Sequence, residues 1–317
     1  MPVSLLWWKI PPNYTDFEKK SSRYTKERQA LRLAFCLFYP ASAIWTETLP
    51  PLHVEGGVFV FYGKLPIMIL LEMVSSKRDS TNGQIAAYIL EHLDEIKEDS
   101  IRDLAAKTFV SISSISRFCR DIGLHDYMEL KELLASTSLN FETWSQSPMP
   151  DVQKEEYITA VQDSLDQVRS SLDMSQLYRL ASDIHAHKKV SIFGMLKAET
   201  VAMNLQCDLA MLGKLTTTKV RFFEQSDCLA KAGGDDLIII FSYTGIYYDY
   251  GLPRYQTVRP GQRPKIYFIT SDKTARTNPA YDEVIWFDSL QNQVSHPYQL
   301  QLIGSLIAQC YAHLCQK

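Results

Sequence analysis

The sequence lacks most of the features that would set it apart from an ordinary folded protein. Its six cysteines, Cys36, Cys119, Cys207, Cys228, Cys310 and Cys315, are scattered and include no Cys-x-x-Cys pair. That argues against a disulfide framework and for buried thiols in a reducing cytoplasm. Cys310, His313 and Cys315 lie close together, but no second ligand pair accompanies them, so no metal site is expected and no cofactor is called for. The longest apolar run, residues 58–71, is too short and too interrupted by Lys64 and Pro66 to span a bilayer. Residues 1–10 carry no basic stretch ahead of an apolar core, which argues against a signal peptide and a membrane partner. Charge of one sign is lacking too. With a net charge of −3, any nucleic-acid binding must come from a local patch.

What is present is regular enough to divide. A chain of 317 residues, 46% hydrophobic and 22% charged, is comfortable for two globular domains. Residues 1–72 keep neither helical nor strand period for long and read as an irregular extension, either a mis-called start with the true one at Met73 or Met68, or a genuine accessory segment. A chain beginning at Met73 is expected to fold like the whole. From Met73 onward the text becomes regular, with Ile85, Tyr88, Ile89, Leu93 and Ile96 at helical spacing.

The most informative stretch is residues 100–123, SIRDLAAKTFVSISSISRFCRDIG. Ser100 is a good N-cap, and Ile101, Leu104 and Ala105 recur on one face. The pattern breaks at Thr108, Phe109 and Val110. It restarts at a second serine, Ser111, with Ile115, Phe118 and Ile122 as the next buried stripe. The opposite face carries Ser113, Ser114, Ser116, Arg117 and Arg120, hydroxyls and cationic forks without an acidic residue among them. Such a face suits a helix laid in a DNA major groove, with Lys107 and Lys131 as phosphate contacts. A small helical bundle with a solvated polar face is the alternative. Gly123 ends the second helix, another follows to about Ala135, and residues 136–152, rich in Ser, Thr and Pro, read as a linker.

Residues 153–317 change texture. A long amphipathic stretch (Val161, Leu165, Val168, Leu172, then Leu177, Leu180, Ile184) precedes short continuous apolar runs at 190–193, 237–241, 266–269 and 284–287, with a weaker one near 217–220. Apolar strands alternating with helices indicate a doubly wound, five-stranded parallel sheet of flavodoxin-like order beside a separate all-α domain. In that order a ligand sits beyond the carboxyl ends of the first and third strands, at Gly194 and Ser242. The terminal helix, with Leu300, Leu302, Ile303, Leu306 and Ile307, offers apolar surface for a homodimer or tetramer on a palindromic operator.

Taken together the two halves resemble the RpiR (MurR/RpiR) family of transcription regulators, in which a helix-turn-helix precedes a SIS (sugar isomerase) domain that senses phosphorylated sugars. The resemblance covers about residues 73–317. It is carried by Leu104-Ala105, Val110-Ser111 and Ser116-Arg117-Phe118, with Phe109 departing from the usual turn glycine and so suggesting a turn of different geometry. In the family's Gly-x-Gly-x-Ser loop Gly194 matches, but Leu196 and Ala198 replace the second glycine and the serine. In its Ser-x-Ser-Gly loop, Ser242, Thr244 and Gly245 match in kind, while Tyr247 replaces a threonine. The resemblance implies a double-stranded DNA partner and a sugar-phosphate effector held by Gly194, Lys197, Ala198, Ser242, Tyr243, Thr244 and Gly245. Loss of hydroxyls leaves two other readings open, a SIS domain used only for dimerisation and a sugar-phosphate isomerase or lyase. Glu199, His185 and His296 are the candidate bases for the last, though no activity as an enzyme is expected.

Overall fold

Where the extension was expected to be irregular, its last residues form a helix. The computed structural model describes residues 64–77, 79–135, 137, 143–250, 262–290 and 292–316. Helix α1 (Lys64–Ser75) carries Pro66 in its first turn, where the missing N–H breaks no helical hydrogen bond. Leu65, Met68, Ile69 and Leu71 are at most 1% exposed. They pack in one cluster with Ile85, Ala86 and Ile89 of α2 (Thr81–Glu91) and with Leu130 and Leu134 of α5 (Tyr127–Ala135). The helical domain therefore includes α1 and does not begin at Met73. A chain starting at Met73 would lose one wall of its core. Residues 1–63 lie outside the described residues.

Between α2 and α5 stand the two short helices read from the sequence, α3 (Ile101–Lys107) and α4 (Ile112–Asp121). Ser100 and Asp103 form a reciprocal capping box, in which Asp103 N donates to Ser100 Oγ (3.3 Å) and Ser100 N to Asp103 Oδ2 (2.9 Å). Ser111 Oγ accepts from Ser114 N at 3.1 Å. Leu104, Ile115, Phe118 and Cys119 fill the space between them, and the Tyr127 hydroxyl donates to Asp99 O (2.9 Å), tying α5 to the entry of α3.

The linker ends one residue before α6 (Pro150–Ser171), which takes Pro150 at its first position; residues 150–152 are helix rather than linker. Residues 136 and 138–142 lie outside the described residues. After α7 (Met174–Ala186), strands β1 (Lys189–Phe193), β2 (Asp236–Phe241), β3 (Lys265–Thr270) and β4 (Glu283–Trp286) pair in parallel in that order. Ile192 stands opposite Ile239, and Ile239 opposite Tyr267. Among the described residues the sheet has four strands, not five. The expected strand near 217–220 is reduced to one parallel bridge, Thr217 to Ser191. Two hydrogen bonds hold it, Thr217 N to Val190 O (2.9 Å) and Ile192 N to Thr217 O (2.8 Å). Leu215 beside it is 80% exposed, so no apolar run continues the pairing. With that bridge counted, the order is the flavodoxin-like one.

The strands alternate between two cores. Leu237, Ile239, Phe241, Tyr267 and Ile269 face α7, α8 (Lys197–Met211) and α10 (Ser295–Cys315). Phe193, Ile238, Ile240, Ile266 and Phe268 face Phe222 and Leu229 of α9 (Phe222–Lys231), in the same cluster as the helical domain. Leu300, Ile303 and Ile307 of the terminal helix are fully buried in their own chain. They offer no surface to a second copy, because the sheet face consumes them.

Met68→Ala should destabilise the chain by about 2–5 kcal/mol, since it opens a cavity where α1 meets the helical domain. Denaturant titration followed by circular dichroism measures this. A loss under about 0.5 kcal/mol, typical of surface substitutions, would contradict the packing of α1.

Candidate functional site

Two surfaces bring together the residues singled out in the sequence. The first is the outer face of α4. Arg117 and Arg120 are exposed, as is Ser113, while Ser114 and Ser116 are half-buried. Ser111 Oγ lies 2.7 Å from Ser113 Oγ and 2.9 Å from Ser114 Oγ, so the three hydroxyls form one cluster at the helix N-terminus. Among the described residues neither arginine has an ion-pair partner. The lysines differ: Lys107 Nζ pairs with Asp99 Oδ2 (2.8 Å), and Lys131 Nζ donates to Glu98 O (3.1 Å). In the turn before α4 Phe109 takes φ +55°, the left-handed region that glycine favours.

The second surface is a cavity of about 80 Å³ at the carboxyl ends of β1 and β2. Lys197, Ala198, Ser242, Tyr243 and Thr244 line it. Gly194 and Gly245 do not. Both are held by close approach: a Cβ on Gly194 would stand 2.6 Å from the Ala198 backbone, and one on Gly245 2.6 Å from Asp272 Oδ2. They shape the two loops from behind.

The departures from the family loops have physical consequences here. Leu196 takes φ +52° and caps α8 without a side-chain hydrogen bond, so a branched side chain stands where a glycine's freedom is used. Tyr247 is 2% exposed; its hydroxyl donates to Gln225 Oε1 (2.6 Å), and Gln225 Nε2 donates to Gly194 O (2.8 Å). Tyr247 thus ties the second loop to the first and fills the floor of the cavity. Ser242 Oγ accepts from Tyr247 N (3.2 Å).

Two lining residues, Ile67 and Gln293, had no signal in the sequence that marked them as such, and His296 was named there only as a candidate base. Ile67 comes from α1, in the helical domain. Gln293 and His296 come from the entry to α10, and Gln293 Oε1 and His296 Nε2 are buried without a partner among the described residues. Each such atom costs about 1–3 kcal/mol unless a ligand or water meets it. Burial, with Lys197 beside it, holds the His296 imidazole down to about 3, so it is neutral. Its ring stacks on Tyr243 at 4.4 Å between centroids. Burial also lowers the Lys197 ammonium below its ordinary value. Among the described residues the cavity therefore offers one cation, hydroxyl donors and two unmet polar atoms within an apolar wall of Ile67, Met195, Leu196 and Ile246. Of the three bases named from the sequence, only His296 lines it. Glu199 is buried elsewhere in the first turn of α8, and His185 packs near Tyr311 at 6.2 Å.

Residues 68–139 match the family described as the helix-turn-helix domain of the rpiR family. Over 184 residues the chain is 27% identical to the transcriptional regulator HexR of Pseudomonas aeruginosa, covering 56% of this chain and 65% of that protein. HexR of Escherichia coli is 25% identical over 187 residues, 56% of this chain and 64% of that one. The chain thus spans just under two thirds of the length of these relatives. Among solved structures, NanR of Vibrio vulnificus complexed with ManNAc-6P overlaps 78% of this chain and 92% of its own at 17% identity, with a TM-score of 0.40.

Glu199 sets a pH dependence. Its carboxyl is 4% exposed, and burial raises its pKa to about 7. An unfolded glutamate ionises near 4.3, so the folded chain holds this proton where the unfolded chain has lost it. The stabilisation is full below about pH 4 and is lost as pH rises toward 7. Glu199→Gln should therefore match the native chain at pH 4 and exceed it at pH 8 by about 1–3 kcal/mol. Denaturant titrations at both values check this; an equal shift at both would remove the buried carboxyl as its source.

Proposed function

Because residues 68–139 match the helix-turn-helix domain of the rpiR family, we propose that this chain is a transcription regulator whose parallel-sheet domain senses a phosphorylated sugar. In this reading α4 enters the major groove of double-stranded DNA. Arg117 and Arg120 face the bases and the backbone, and the Ser111, Ser113 and Ser114 hydroxyls meet phosphates at the helix N-terminus. A second copy of the chain supplies the second half-site of a palindromic operator, as a dimer or tetramer. Lys107 and Lys131 contribute to phosphate contacts after leaving Asp99 and Glu98.

One observation carries the coupling of ligand to DNA. Ile67 belongs to the helix that completes the helical core, and it also lines the cavity at the sheet. The two sites share a wall. From that wall a chain of polar contacts continues: Asn82 Nδ2 donates to Glu72 Oε1 (3.1 Å) and to Asp121 Oδ2 (2.9 Å) at the end of α4. Arg221 Nη2, beside the sheet domain's Phe222, donates to Ser76 Oγ (3.3 Å). A ligand needs more room than about 80 Å³, against the roughly 300–1000 Å³ of clefts that enclose drug-sized molecules. It must therefore press α1 away, and α1 cannot move without disturbing the seat of α4.

Lys197 would meet the anionic group, and Gln293 Oε1 a ligand hydroxyl. No carboxylate lines the cavity among the described residues, and the one candidate base that does, His296, is held down to about 3, a weak base at neutral pH; both favour a sensing role over an isomerase or lyase. The small volume and the bulk of Leu196 and Tyr247 favour one competing reading, a sheet domain kept for assembly alone.

The experiment is amide hydrogen exchange on the full chain with glucose 6-phosphate, glycerol 3-phosphate or inorganic phosphate. Binding should slow exchange across Ser242–Tyr247 and speed it across Lys64–Ser75. If no probe changes either segment, the assembly-only reading stands. On the DNA side, Arg117→Ala should cost about 1–3 kcal/mol of affinity for a duplex selected by the full chain from a random pool, and relax one position of it. Unchanged affinity would remove α4 from the groove.

A further inference from the structure

Among the described residues three helices end in the same way. α3, α4 and α8 each close with a pair of hydrogen bonds past the last turn, the Schellman pattern. In α4 these run from Gly123 N to Arg120 O (3.0 Å) and from Leu124 N to Cys119 O (2.8 Å). In α8 they run from Gly213 N to Ala210 O (3.0 Å) and from Lys214 N to Leu209 O (2.8 Å). The residue at the left-handed position is a glycine in both, with φ +84° and +81°. In α3 the pair runs from Phe109 N to Ala106 O (3.2 Å) and from Val110 N to Ala105 O (3.0 Å), and the left-handed residue is Phe109 at φ +55°.

Phe109 is unfavourable there twice over. Its Cβ is strained against its own backbone in a region that bulky side chains avoid. Its ring gains nothing in return, since the residue is 95% exposed, the most exposed of the large apolar side chains described. Ile112, in the first turn of α4, is 44% exposed beside it in sequence. An aromatic ring held in solvent by a strained backbone, two residues before the cap of the DNA-facing helix, has its compensation outside the free protein.

We propose that Phe109 is a DNA-contacting residue, its ring making the apolar contact at the mouth of the major groove that the polar face of α4 does not supply. The proposal rests on the reading of α4 as the DNA-facing helix. The apolar chemistry of a duplex comes from two sources, thymine methyl groups at the base edges and deoxyribose carbons along the backbone. Contact with a methyl adds sequence preference. Contact with sugars adds affinity alone.

This role makes stability and affinity move in opposite directions, which a purely structural residue does not do. Phe109→Gly relieves the strain, and Phe109→Asn puts in its place a polar residue that tolerates the same conformation. Both should melt no lower than the native chain, and Phe109→Gly about 2–4 °C higher. Both should bind the duplex selected by the full native chain at least tenfold more weakly. Replacing single thymines of that duplex by uracil then separates the sources. A loss seen with the native chain and absent in Phe109→Gly assigns the contact to a methyl; no loss at any thymine, with the tenfold weakening intact, assigns it to deoxyribose. Unchanged affinity of both variants, in a native chain that binds its duplex, overturns the proposal and leaves α4 in the groove. A native chain that selects no duplex overturns both.

Discussion

The burial of α1 is the constraint on which the rest of the structure depends. Its apolar residues close the helical domain on one side, and Ile67 reaches the sheet domain on the other. The junction is tight. A side chain on Gly123, at the end of α4, would collide with the Phe222 ring and stand 2.8 Å from Met68 Cε. Helix α4, helix α1 and the sheet domain therefore meet at one point, where no atom larger than hydrogen fits. Such a packed junction has discrete arrangements and little continuous give. That is the property a switch needs.

The same junction explains an asymmetry between the two faces of the sheet. The face that carries Leu237, Ile239 and Phe241 is covered by helices of its own domain, including the terminal one. The other is covered by α9 and merges with the helical core through Phe222. The cavity opens between the two loops at the strand ends. Its floor is fixed by the Tyr247–Gln225–Gly194 hydrogen bonds. Its far wall is borrowed from α1. Rigid floor and borrowed wall are different in kind: on the proposed sensing reading a ligand displaces the second and not the first.

Much of this was legible from residue types. Ser100 and Ser111 announce their helices because a hydroxyl at that position meets an orphan N–H, and both do so here. The strands stand out because a parallel sheet covered on both faces leaves no polar alternation to dilute the signal. The same logic hid α1. A helix buried nearly all round has no polar stripe, so KLPIMILLEMVS shows no helical period, and Pro66 reads as a breaker although it lies in the first turn. Thr217 misled in the other direction, a β-branched residue whose pairing stops after one bridge. The cavity was legible only at its two loops, whose residues are near each other in the chain. Ile67, Gln293 and His296 arrive from sequence positions far apart, and nothing local distinguishes a histidine that stacks on Tyr243 from one such as His185 that does not line the cavity.

The positions where residue type and local conformation disagree are few, and they fall at the two surfaces. Phe109 and Leu196 are the non-glycine residues with positive φ among those described. One stands at the turn before α4 and the other in the first loop of the cavity. Each carries a strain cost of about 1–2 kcal/mol that a glycine would not. Elsewhere in the chain the left-handed positions are glycines, at the ends of α4 and α8 and in the second loop. Strain confined to the two candidate sites, in a fold that otherwise avoids it, is hard to assign to packing. Phe109 has no packing to explain it, being almost wholly exposed, whereas Leu196 is half-buried against the cavity. The second therefore narrows an existing pocket, and the first extends a surface outward.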